Sequence, residues 1–152
     1  MWNSKKSVNL SICVCGFTII SIIVAAIFVP WWAKNYFLYL FDWDHTQYLK
    51  YIAFMFSFYP CASLGILAVF SLIKILFRIK KGNPFCNENV KSLKIISWCC
   101  FFVSLITLLA SPFYIPLIIV AVAAGFFGLI LRVVKNVIHA AVELKKENDL
   151  TI

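Results

Sequence analysis

What this chain has least of is charge, and negative charge least of all. Asp and Glu number 6 among 152 residues against 14 Lys and Arg, and charged residues make up 13% of the whole, about half the ~25% of an ordinary soluble domain. The scarcity is uneven: four long apolar runs have cores without Asp, Glu, Arg or His. Ionisable groups inside a bilayer are costly, and where they persist they mark proton relays and ion paths. Their absence argues against a coupled pump, an ion channel or an antiporter built on a membrane-buried carboxylate. It also removes the intrahelical charges that four-span glutathione enzymes need.

Outward-facing cysteine pairs are missing too, which excludes a disulfide oxidase. The 6 cysteines stand at 13, 15, 61, 86, 99 and 100. Five fall within apolar runs and Cys86 lies in a loop assigned below to the reducing side, so no disulfide is expected. Cys13 and Cys15, two apart on a helix, point in different directions, which suits neither a redox pair nor a shared metal. Each reads as a small hydrophobe. His45 and His139 stand alone, and Asp42, Asp44 and His45 make three potential cation ligands without a fourth. The chain is expected to carry no catalytic residue, cofactor or metal, and not to be an enzyme.

What is present is apolar surface. Hydrophobic residues make up 63%, with 15 Phe, and mean hydropathy is +0.94. The expected fold is all-α: an integral membrane protein of four transmembrane helices over 8–29, 52–77, 93–110 and 113–134. The first run, at roughly 1.5 Å per residue, is about 33 Å long and spans a bilayer; it is too long for a secretory leader. Residues 30–51 interleave Trp31, Trp32, Tyr36, Trp43, Tyr48 and Tyr51 with charges, and such density of Trp and Tyr favours the headgroup region. They are expected to form a partly helical loop on the membrane surface. Pro60 is expected to free the carbonyl of Phe56 and kink the second span.

Residues 78–92 hold turn chemistry, Gly82-Asn83-Pro84, with Asn87 as the expected N-cap of the third helix and Glu88 favourable in its first turn. Ser111-Pro112 is expected to be a tight turn, with Pro116 tolerable in the first turn of the fourth helix. Beyond Arg132, Val133, Val134, Val137, Ile138, Ala141 and Leu144 recur at helical spacing, so the fourth helix is expected to extend into an amphipathic tail over 135–147.

Of the 14 Lys and Arg, only Lys34 and Lys50 lie in the aromatic loop. The positive-inside bias therefore puts both termini and the 78–92 loop in the cytoplasm of a plasma-membrane protein. The basic excess reads as topology and as attraction to anionic lipid headgroups, with no direct nucleic-acid binding. In the second span Ala53, Ser57, Cys61 and Gly65 form a ridge of small side chains. Ala121 with Gly125, and Ala124 with Gly128, repeat it in the fourth. Such ridges let helices approach closely, within one chain or in a homo-oligomer.

Two stretches carry a resemblance: Lys81-Gly82-Asn83-Pro84-Phe85 followed by Asn89, and the tail from Val142 to Ile152 with its acidic-Leu-Thr-Ile ending. The chain resembles a family of small bacterial four-helix membrane proteins classed as a domain of unknown function. Many of its members are encoded beside a Cro/CI-type helix-turn-helix regulator, so the resemblance implies a cytoplasmic DNA-binding partner and supplies no activity. The expected role is regulatory or sensory. Its partner-binding residues would be Lys81, Gly82, Asn83, Pro84, Phe85, Asn89, Glu143, Asp149 and Leu150 on one inner surface. The alternative for that surface is a turn that merely connects two spans and a tail that only ends the chain. An alternative role is a membrane immunity or transport protein that handles an amphipathic peptide or lipid at the 30–51 aromatics.

Overall fold

The computed structural model describes residues 4–40, 45–82 and 84–150, with side chains at 6–36, 48–82 and 84–148. It holds α1 (Ser4–Leu40), α2 (His45–Lys80), α3 (Asn87–Ala110) and α4 (Leu117–Leu150). All 4 are long and apolar enough to cross a membrane. The protein is an all-α membrane protein with four spanning helices. Its alternating helices put the start of α1, the end of α4 and the turn between α2 and α3 on one side, the basic side. The end of α1, the start of α2 and the 111–116 connection lie on the other, the aromatic side.

The 30–51 segment, expected to be a partly helical loop, is helical at 30–40 and 45–51. α1 has 37 residues and runs through Pro30 to Leu40, and α2, with 36 residues, begins at His45. At about 1.5 Å per residue each is some 55 Å long, against a hydrocarbon core of ~30 Å. Composition had indicated depth, because Trp and Tyr prefer the interface, but not where a helix stops. Proline does not stop this one. Its missing N–H frees one acceptor, the Ala26 carbonyl four residues back. The Tyr59 hydroxyl of α2 donates to that oxygen at 3.4 Å, a long contact from the neighbouring helix. Such re-satisfaction from outside is how membrane helices tolerate Pro. α2 likewise continues through Pro60.

Two other boundaries differ from expectation. The N-cap of α3 is Cys86, whose side chain makes no capping bond; Asn87 is already helical. The side chain that ties this end is Asn89, three residues into the helix, which reaches back to the Pro84 carbonyl. The 3–4 connection extends over 111–116, and α4 starts at Leu117 rather than Phe113. Pro116 disfavours a helical Ile115, and the first turn is closed instead by Leu117 N–H donating to Tyr114 at 3.0 Å.

Helices pack in chain order: α1 on α2, α2 on α3, α3 on α4, with no other pair of helices in backbone contact among the described residues. α3 is the central member. A third of its span is buried (33%), against 6% for α1. Ile75, Leu93 and Ile96 form a small core flanked by Ala68, Cys100, Leu131 and Ile138. Elsewhere small residues are buried, among them Ser57, Ser97, Cys99, Thr107 and Ala121, while Phe17, Phe56 and Ile119 are exposed. This inverts the pattern of a soluble protein because lipid solvates large apolar side chains. Helix contact then comes from close backbone approach and interhelical hydrogen bonds.

Some of the small residues meet a neighbouring helix. Gly125 lies where a Cβ would come 3.1 Å from Ser104 Oγ, and Gly128 where one would come 3.3 Å from Cys100 Cβ. Ser97 Oγ donates to the Gly128 carbonyl at 2.9 Å and Ser104 Oγ to the Ala121 carbonyl at 2.7 Å. Ala121, Gly125 and Gly128 thus seat α4 on α3, with Ala124 half-buried beside them. On α2, Gly65 faces Ile22 of α1, at 3.7 Å from a built Cβ. Ser57 is buried and donates to Ala53, and Ala53 and Cys61 are half-buried.

Candidate functional site

The basic side gathers most of the polar chemistry. α2 ends with Arg78 and Lys80 in its last turn, where cations complement the free carbonyls of a helix C-terminus. Gly82, with φ 84°, lies in the left-handed region beyond that end, and its N–H donates to the Ile79 carbonyl at 3.0 Å. Glycine reaches this conformation without the clash a Cβ would make. On the other side of the turn, Glu88 stands in the first turn of α3, where an acid complements free N–H groups.

Between these ends sits one polar knot. Arg78 Nε pairs with Glu88 Oε2 at 3.0 Å. Its Nη1 faces Ser92 Oγ at 3.1 Å and, at longer range, the Glu88 carbonyl (3.3 Å) and Asn89 Oδ1 (3.4 Å). Asn89 is 2% exposed. Its Nδ2 donates to the Pro84 carbonyl at 2.8 Å, and Ser92 Oγ donates to the Glu88 carbonyl. A buried amide without partners would be costly. Here both its ends are used, one by the turn and one by α2.

This fixes the place of Phe85. Its ring is exposed and walls two recesses. One, about 280 Å³, is shared with Arg78, Lys81, Cys86 and Glu88. The other, about 680 Å³, runs between Phe85 and the end of α4 at Ala141, Leu144, Lys145, Glu147 and Asn148. α4 is held beside the turn: Val142 is 4% exposed and Ile138 packs against the core. Leu144 lies open. The turn and the tail therefore form one groove with apolar walls and a charged rim.

Among the residues singled out as partner-binding, Lys81, Phe85 and Pro84 are exposed on the turn, with Gly82. Glu143 is exposed on α4, 3.7 Å from His139. Asn89 needs correction: buried and fully engaged within the chain, it positions the turn and offers no contact surface. Asn83 lies outside the described residues, as do the side chains of Asp149 and Leu150, so the contact expected between the chain's end and the turn falls outside them too. Arg78, Ala141, Leu144 and Lys145 were missed. Arg78 and Asn89 stand on different helices, and only the fold brings them together; Leu144 was visible in the tail's periodicity, though not what it would face.

Asp42, Asp44 and the side chain of His45, weighed as potential cation ligands, lie outside the described residues, and among the described residues no three His, Cys, Asp or Glu converge. All 6 cysteines are free thiols.

The model of a family described as "Protein of unknown function (DUF2975)" matches residues 42–152. The chain belongs to the DUF2975 family. The match takes in α2, α3 and α4, and with them the whole Phe85 groove. The chain is also 27% identical over 146 residues to "Uncharacterized membrane protein YoaS" of Bacillus subtilis (strain 168), covering 88% of this chain and 89% of that one. No solved structure matches. The relatives bring no activity, so what this DUF2975 member does must be argued from its surfaces.

Proposed function

We propose that the protein is a regulatory, non-catalytic protein of the plasma membrane, that its basic side faces the cytoplasm, and that the Phe85 groove holds a cytoplasmic partner such as a small helix-turn-helix regulator. The observation that carries the reading is the groove itself. A ring exposed on a turn that is locked from beneath, opposite the exposed Leu144 of a helix that outruns the bilayer, is a surface built for an amphipathic helix. Arg78, Lys81 and Lys145 line it against Glu88 and Glu147, and this basic excess favours an acidic partner and, failing one, anionic lipid headgroups. The basic excess on this side supports the orientation, and the resemblance to proteins encoded beside Cro/CI-type regulators supports the partner class. A regulator held at the membrane is kept from DNA.

The test uses the full chain in cells with a fluorescent Cro/CI-type regulator taken from its own gene neighbourhood. Membrane fluorescence is expected with the wild-type chain and loss of it with Phe85→Ala plus Leu144→Ala at unchanged chain abundance. A regulator that stays in the cytosol with the wild-type chain overturns the reading.

A further inference from the structure

On the aromatic side, far from the groove, the helices leave a recess of about 240 Å³. Its walls are Val29, Trp32, Ala33 and Tyr36 of α1, Phe54 of α2 and Tyr114 of the 111–116 connection. Three separate parts of the chain converge there. The floor is stiff: Phe54 meets Tyr114 edge to face at 6.2 Å and stacks with Phe58 at 6.3 Å.

We propose that this recess binds one hydrocarbon chain of a membrane lipid from the leaflet on the aromatic side. Its chemistry sets the class of ligand. Among the described residues no charged side chain lines it, so a phosphate, carboxylate or ammonium placed against these walls would lose its water without compensation. Its size sets the scale. It exceeds the ~150 Å³ apolar cavity that takes benzene and is far below what a peptide helix or a folded partner would fill.

Its position sets the source. The exposed Trp31 and Trp32 and the wall residue Tyr36 mark the membrane interface. Trp32, 68% exposed, belongs both to the recess wall and to the outer face of α1, so the opening is continuous with the lipid-facing surface. Among the described residues α1 rests on α2 alone, so no helix contact between them closes the gap between α1 and the 3–4 connection. A lipid chain seated there touches both and joins what the backbone leaves apart.

The experiment is native mass spectrometry of the full chain. It is first reconstituted in vesicles of palmitoyl-oleoyl phosphatidylglycerol or palmitoyl-oleoyl phosphatidylethanolamine, then stripped with detergent. The wild-type chain is expected to retain one phospholipid, and to retain the two lipids equally, because the walls read the chain and not the headgroup. Ala33→Leu, which fills the recess, is expected to lower retention at least tenfold. Phe54→Ala removes the floor without adding bulk and is expected to do the same, so the outcome does not rest on one variant's folding. Ile119→Trp, on an exposed face of α4, is expected to leave retention unchanged. A bare wild-type chain overturns the proposal, as do equal retention by all three variants, selection by headgroup, and recovery of a free small aromatic molecule in place of a lipid.

Discussion

Replacing Asn89 by Ala isolates the polar knot that holds the turn. The change removes a side chain that is 2% exposed and two hydrogen bonds at once. The 2.8 Å donation to the Pro84 carbonyl is the stronger; the 3.4 Å contact from Arg78 is near the limit of a hydrogen bond. Arg78 keeps Ser92 and Glu88, so little is lost on its side. The Pro84 carbonyl, on an exposed residue, recovers part of its loss from water. A buried group stripped of its partner costs about 1–3 kcal/mol, and a cavity of amide size adds to that. The expected destabilisation is therefore about 2 kcal/mol. Reversible unfolding in mixed micelles, followed by circular dichroism, measures it. Proteolysis at the 81–86 connection reports whether the loss is local, and cleavage there is expected to accelerate. A variant within about 0.5 kcal/mol of the wild type, with an equally resistant turn, would refute the claim that Asn89 positions Phe85, because surface substitutions of no structural consequence fall in that range.

Bulk at the α3–α4 contact should act through packing: Gly125→Leu and Gly128→Leu, whose Cβ atoms would stand 3.1 Å from Ser104 Oγ and 3.3 Å from Cys100 Cβ, are each expected to destabilise by about 1–3 kcal/mol. The same unfolding assay checks it, and unchanged stability would mean that α4 sits elsewhere. Tyr59→Phe deletes the donor to the carbonyl that Pro30 frees, and its expected cost is small, about 0.6 kcal/mol, the average for an interhelical bond in a membrane. A loss above about 2 kcal/mol would show that the 3.4 Å contact understates this bond.

The spanning segments were readable because lipid imposes one requirement, a run of apolar residues long enough to cross, and four such runs are plain. Where helices end outside the membrane was not. Pro30 reads as a stop in a soluble protein, yet the donor that takes up the carbonyl it frees at Ala26 sits on another helix, thirty-three positions beyond Ala26 in Tyr59. The site divided in the same way. Gly82 and Phe85 are local turn chemistry and were visible. Arg78 with Asn89, and Phe85 with Leu144, are pairings made by packing, and no periodicity along the chain announces them. The start of α3 misled for a related reason: Asn87 has the right side chain for a cap, but the Asn two residues later does the tying.

The serial packing of the helices has a mechanical consequence. In a closed bundle every helix has two neighbours, and a break at one interface leaves a second route around. Here each interface is in series. An end helix can part from the rest by breaking a single helix seam, whereas loosening α3 would remove the helix against which, among the described residues, the α4 backbone packs. Hydrogen exchange in such a chain should proceed from the ends inward, with α1 opening at the lowest free energy and α3 last. The lipid recess and the basic groove are then joined by two routes, one through the α2–α3 seam where Ile75, Leu93 and Ile96 meet and one from Tyr114 along α4 to Leu144.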